Sequence, residues 1–141
     1  KSLLVSLIGL TAFVYALQSL TSVNELRAQI DSAPGASSPT LSWSGFALIT
    51  LIHFALAATA MKGAWELFAA REGSPQQFKE AKTTAVWAGG IALFSWFVLA
   101  LMLGAGLFQW NTDFGEAALA KSFALATTPA LTILFVWGTT D

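Results

Sequence analysis

The single histidine of the chain, His53, is the residue best suited to carry chemistry. It lies about ten residues into a long uncharged run, close to mid-membrane depth when that run forms a spanning helix. An ionisable side chain at such a depth is a candidate functional residue by default, as an axial ligand to a haem or chlorophyll-type metal or as a station on a proton path. A six-coordinate haem within this chain would need Met61 or Met102 as its second ligand, and neither spacing is diagnostic.

A structural role for His53 competes with these chemical roles. At 100° per residue, its face of the helix carries mostly small residues, among them Ala57, Ala60 and Ala64. Small residues allow helices to approach closely, so His53 is predicted to face protein. We expect a neutral imidazole that hydrogen-bonds across a helix contact, for example to a serine or threonine, because a charged imidazolium at this depth costs at least a few kcal/mol.

The sequence contains no recognisable catalytic motif. Cysteine is absent, which removes disulfides, thiolate metal sites and thiol catalysis. A serine–histidine–aspartate set, an HExxH motif and a phosphate-binding glycine loop are all missing, and no acidic residue or arginine lies in the predicted hydrocarbon zone. We therefore predict that the protein is not an enzyme. A small transporter is a distant alternative, since paired broken helices are not evident.

The composition defines the broad class of protein. Of the 141 residues, 55% are hydrophobic and 11% are charged, less than half the charged share of an ordinary soluble domain, and the net charge is −1. The mean hydropathy of +0.65 excludes a disordered chain, and the basic residues are too few for nucleic-acid binding. This composition is typical of an integral membrane protein.

Four apolar runs are long enough to cross a bilayer, since about 20 helical residues span about 30 Å of hydrocarbon. Unpaired backbone groups in lipid cost several kcal/mol each, which favours helices over strands. The predicted fold is all-α, a four-helix integral membrane bundle that forms one domain. Its predicted spans are 3–20, 43–67, 85–108 and 117–137, with an extramembrane loop over 21–42 and a cytoplasmic connection over 68–84.

Both of these connections carry helix-boundary signals. The pair Ser22 and Glu25 has the spacing of a capping box and predicts a short helix within the first loop. In the second connection Gly73 is predicted to end a helix, and Ser74 followed by Pro75 predicts the start of the next one. That helix begins about ten residues before the membrane.

The distribution of lysine and arginine predicts the orientation. Placing the N-terminus, the second connection and the C-terminus on one side gives that side five of the seven basic residues. By the positive-inside rule both termini are then cytoplasmic. Arg71, Lys79 and Lys82 lie in this region and are predicted to anchor to lipid headgroups or to dock a partner, and bound lipid is expected.

Two further stripes of small residues are predicted packing surfaces, either within the chain or against another protein. Ala55, Thr59 and Gly63 repeat every four residues on the second span, and Ala100 and Gly104 do so on the third. These stripes and the lack of catalytic motifs favour a non-catalytic accessory or assembly subunit of a larger membrane complex, such as a respiratory or photosynthetic one, with other integral membrane subunits as partners. A haem- or pigment-binding redox protein that uses His53 is the alternative.

Several short motifs lie between residue 50 and the end of the chain. They are Gly63-Ala64-Trp65-x-Leu67, Ala70-Arg71, Phe78-x-x-Ala81-Lys82, Trp96, Gly106-Leu107-Phe108-Gln109-Trp110-Asn111 and Phe123. With these motifs the chain resembles a bacterial family of predicted small integral membrane proteins, domain of unknown function 2165. The resemblance implies four membrane helices and supplies no activity. We predict that the protein lies in the inner membrane of a bacterium and crosses it several times.

Overall fold

The computed structural model describes residues 1–32, 39–99 and 113–138. Within these ranges all regular secondary structure is helical, which confirms the predicted all-α class. The elements are α1 (Ser2–Thr21), α2 (Val23–Asp31), α3 (Pro39–Ala69), a 3₁₀ turn (Ala70–Glu72), α4 (Pro75–Leu93), a π-helical segment (Phe94–Leu99) and α5 (Asp113–Gly138).

Three stretches of the described residues are long and apolar enough to cross a membrane, namely Ser2–Thr21, Trp43–Glu72 and Leu119–Gly138. They coincide with the first, second and fourth predicted spans. The third predicted span, 85–108, begins within α4, and its part beyond residue 99 lies outside the described residues. Ala100, Met102 and Gly104 therefore also lie outside them.

The helix boundaries in the second connection follow local capping interactions. The Ser74 hydroxyl accepts a hydrogen bond from the backbone N–H of Gln77 at 3.3 Å, and the Gln77 side-chain oxygen accepts one from the backbone N–H of Ser74 at 2.9 Å. Pro75 is the first residue of α4, where its missing N–H costs nothing. This reciprocal capping box satisfies two backbone donors at the start of α4. The short helix predicted for the first loop is present as α2.

Small side chains fill the core, so the helices pack closely. α3 packs against both α1 and α4, and α4 packs against α5. The core includes Val5, Ile8, Ala12, Leu56, Ala57, Ala60, Ala64, Ala85, Ala88 and Ala92. Gly63 marks a close approach of two backbones, because a Cβ atom at this position would lie 3.0 Å from the Cα and N atoms of Ala85 in α4.

The outer surface of α1 is a continuous apolar stripe. Its exposed side chains recur at spacings of four and three residues: Leu3, Leu7, Leu10, Val14 and Leu17. Bulky aliphatic side chains in such a stripe are solvated by lipid chains in a membrane, whereas in water they would form a large exposed patch. The surface thus agrees with a bilayer location.

Candidate functional site

His53 and Trp96 form a hydrogen bond that joins α3 to the π-helical segment. The indole N–H of Trp96 donates to the His53 Nε2 atom at 2.9 Å. The other ring nitrogen of His53, Nδ1, lies 2.9 Å from the backbone carbonyl oxygen of Ile49, one turn earlier in α3. Both side chains are buried, with exposed fractions of 9% for His53 and 5% for Trp96.

These two partners assign the protonation state of the imidazole. An indole nitrogen can only donate and a carbonyl oxygen can only accept, so Nε2 is the acceptor and Nδ1 carries the hydrogen. The ring is therefore neutral, and both of its nitrogens are in use. A proton or a metal ion at Nε2 would have to displace the Trp96 indole.

This geometry agrees with the structural interpretation of His53 and departs from it in one detail. The partner across the helix contact is a tryptophan and not a serine or threonine. One sequence signal could have identified this partner, since residue 96 is near the middle of the predicted 85–108 span, whereas the other tryptophans fall near the ends of the predicted spans. Met61, a candidate second ligand, has its side chain beside Gly9 of α1 and lies about two turns along α3 from His53.

Side chains from α1 and α5 extend this site. The Tyr15 ring stacks on the imidazole with 5.9 Å between ring centroids and 28° between planes. The Lys121 ammonium lies 5.3 Å from the centroid of the Tyr15 ring, a cation–π distance. Tyr15, His53, Trp96 and Lys121, here called the histidine cluster, therefore connect α1, α3, the π-helical segment and α5. The cluster joins these elements through a hydrogen bond, a ring stack and a cation–π contact.

The π-helical segment presents Trp96 to α3. A π-helical turn has i→i+5 backbone hydrogen bonds; such turns are rare and are frequently found at functional sites. The neighbouring Phe97 packs edge to face on Phe123 of α5, with 5.2 Å between centroids and 63° between planes. The hydroxyl of Ser95, also buried, donates to the Ala92 carbonyl at 3.2 Å. The segment is thus tied to α3 through Trp96 and to α5 through Phe97.

The predicted small-residue stripe of α3 runs from the surface into the core. Ala55 is exposed, Thr59 is half-buried with its hydroxyl donating to the Ala55 carbonyl at 2.8 Å, and Gly63 is buried against α4. Gly63 therefore packs within the chain, whereas Ala55 lies on the outer surface. A partner at Ala55 stays a prediction.

The basic residues predicted for docking lie at one end of the bundle. Arg71 is in the 3₁₀ turn, where its guanidinium pairs with Glu72 at 3.2 Å and lies 4.2 Å from the centroid of the Phe68 ring. Lys79 is exposed on α4, and the Lys82 ammonium lies 5.3 Å from the centroid of the Phe78 ring. Their role in docking stays a prediction.

Across the described residues, no group of three or more histidine, cysteine, aspartate or glutamate side chains is placed to hold a metal ion. Buried polar side-chain atoms in the same part of the chain all have hydrogen-bond partners. Both ring nitrogens of His53 and the indole N–H of Trp96 thus bond to other groups of the protein.

Long apolar helices packed through alanine and glycine, with an apolar exterior, define an integral membrane protein. The chain belongs to the family described as predicted small integral membrane protein (DUF2165), which matches residues 11–138. This confirms the resemblance seen in the sequence motifs. Searches among curated proteins and among solved structures found no match to the chain.

Proposed function

We propose that this protein is a non-catalytic accessory or assembly subunit of a larger membrane protein complex, such as a respiratory or photosynthetic one. The bonding of His53 supports a structural role, since Trp96 and Ile49 occupy both of its ring nitrogens. The observation that carries the proposal is the composition of the exposed face of α5.

Four exposed small residues recur along α5 at spacings of three or four. They are Ala117, Ala120, Ala124 and Thr128, here called the α5 face. Small residues at this spacing allow another helix to approach closely, whereas the leucine-rich stripe of α1 is typical of a lipid-facing surface. The α5 face therefore fits a helix of a partner subunit better than it fits lipid chains.

Enlarging the α5 face is expected to weaken partner binding. Ala120→Leu and Ala124→Leu would each hold a partner helix away from α5, because leucine adds three carbon atoms at the closest point of approach. We expect both variants to retain less of the co-purifying membrane subunits in mild detergent, as measured by native gel and mass spectrometry. Val14→Leu enlarges the α1 stripe and serves as the control, with normal retention expected.

Migration of the wild-type protein as a lone monomer in every mild detergent would contradict the accessory-subunit proposal. Full retention of partners by Ala120→Leu and Ala124→Leu together would contradict the assignment of partner binding to the α5 face.

We further propose that the chain crosses the inner membrane of a bacterium four times, with both termini in the cytoplasm. The third span would start in α4 and follow the 85–108 run of the sequence. The orientation rests on the five basic residues assigned to the cytoplasmic side, against two on the other.

Single-cysteine labelling tests this orientation without interference, because the natural sequence contains no cysteine. In intact spheroplasts, an impermeant thiol reagent is expected to label Thr112→Cys and to leave Gln76→Cys unlabelled until the membrane is permeabilised. The reverse pattern would show that the 68–84 connection faces outward.

A further inference from the structure

An open groove lies between the end of α3 and the start of α4, with a volume of about 500 Å³. Alanine side chains form part of its wall. Its aromatic and polar lining consists of Trp65, Glu66, Gln77, Glu80 and Thr84. We call this feature the α3–α4 groove.

The predicted spans 43–67 and 85–108 place the α3–α4 groove at the level of lipid headgroups. Trp65 and Glu66 are at the end of the second predicted span, and Glu80 and Thr84 come just before the third. Trp65 is 69% exposed, as expected for a tryptophan at a membrane interface. A molecule in this groove would therefore be in contact with both the hydrocarbon boundary and the polar headgroup layer.

Two carboxylates give the α3–α4 groove a negative character. The Glu66 side chain is only 33% exposed, and its counter-ion Lys62 is 69% exposed with its Nζ atom 3.6 Å from the carboxylate. That separation exceeds the roughly 2.8 Å of a charge-assisted hydrogen bond. A cation that comes closer would therefore interact with the Glu66 carboxylate more strongly than Lys62 does. Glu80 accepts a hydrogen bond at 2.9 Å from the neutral amide of Gln76, which does not compensate its charge.

We propose that the α3–α4 groove binds the primary ammonium group of a phospholipid headgroup, as carried by phosphatidylethanolamine. An ammonium has three N–H donors for the Glu66 and Glu80 carboxylates, and the Trp65 ring adds a cation–π surface. A trimethylammonium headgroup carries the same charge without donors, and the glycerol headgroup of phosphatidylglycerol has no cation for the two carboxylates. The position of the groove at headgroup level favours a lipid over a lysine side chain of a partner.

Native mass spectrometry of the full chain in detergent micelles tests this lipid site. The probes are phosphatidylethanolamine, phosphatidylcholine and phosphatidylglycerol with identical acyl chains, added in equal amounts. Phosphatidylethanolamine adducts are expected to exceed each of the others by roughly three- to tenfold, the effect of one charge-assisted hydrogen bond at a partly exposed site.

Glutamine variants test whether phosphatidylethanolamine binding depends on the two carboxylates of the groove or on other surface charges. Glu66→Gln and Glu80→Gln are each expected to reduce phosphatidylethanolamine binding toward the phosphatidylcholine level. Glu72→Gln is the control, because this side chain is 81% exposed and lies outside the groove lining. Size-exclusion profiles establish that each variant is folded, and the wild-type comparison of the three lipids needs no variant at all.

Equal binding of the three lipids by the wild-type protein would overturn the proposal. So would a phosphatidylethanolamine preference that survives both groove variants, or one that Glu72→Gln abolishes equally. A basic protein partner lost on Glu66→Gln, without any lipid preference, would assign the groove to that partner instead. None of these results bears on the α5 face, so the accessory-subunit proposal is tested separately.

Discussion

Gly63→Leu is expected to destabilise the bundle strongly and to impair its assembly. Even the first carbon of a side chain at this position would lie 3.0 Å from two backbone atoms of Ala85. Backbone atoms cannot rotate away as a side-chain end can, so α3 and α4 would have to separate. Overpacking of this kind costs about 1–3 kcal/mol, and we expect alanine at the lower end of that range and leucine at its upper end or beyond.

Thermal unfolding in detergent, followed by tryptophan fluorescence, measures the Gly63 effect. Gly90 provides a matched control on α4, because it is exposed and nothing lies within 4 Å of a Cβ atom built there. Gly90→Leu is expected to melt close to the wild-type protein, while Gly63→Ala melts lower and Gly63→Leu lower still. Equal melting temperatures of Gly63→Leu and Gly90→Leu would show that the backbone of α4 does not lie within 3.0 Å of a Cβ atom at position 63.

His53→Leu is expected to be the second destabilising change, because it leaves the Trp96 indole N–H without its acceptor in a buried site. An unsatisfied buried donor costs about 1–3 kcal/mol. Membrane hydrogen bonds average about 0.6 kcal/mol, so we expect a loss toward the lower part of that range. His53→Gln should melt and assemble nearly normally, since its amide oxygen can accept from the indole.

A double-mutant cycle isolates the His53–Trp96 bond from other effects of the two substitutions. Trp96→Phe removes the donor, so the double variant with His53→Leu should cost less than the sum of the single variants, by about 0.5–1.5 kcal/mol. Strict additivity would mean that the bond contributes nothing. A Soret or far-red absorption band that is lost in His53→Gln, or an activity lost while assembly stays intact, would replace the structural interpretation of His53 with the chemical one.

The two predictions link the packing of the chain to its proposed role. Gly63 sets the distance between α3 and α4, and the histidine cluster connects α1, α3, the π-helical segment and α5. The packing of α5 on α4 positions the α5 face at the surface of the bundle. Changes at Gly63 or His53 should therefore weaken partner retention through loss of the bundle, whereas Ala124→Leu should do so without lowering the melting temperature.

The class of the protein, and most of its helix boundaries, followed from the sequence because both depend on local or bulk properties. Hydrocarbon thickness fixes how long an apolar run must be, so the first, second and fourth spans were evident from hydropathy. The start of α4 depended on Ser74, Pro75 and Gln77, which interact within one turn. Residues that act at such short range can be interpreted without knowing the rest of the fold.

The partner of His53, and the inward face of each helix, were decided by the tertiary structure. In a soluble helix the buried face is apolar and the exposed face polar, but lipid chains are as apolar as a protein core. Hydropathy therefore could not distinguish exposed Ala55 from buried Ala57, two residues apart on α3. His53 and Trp96 are 43 residues apart in sequence, and their bond depends on how the π-helical segment that follows α4 lies against α3. A π-helical turn changes the direction in which side chains leave the helix. The order of apolar residues around Trp96 does not indicate that such a turn is present.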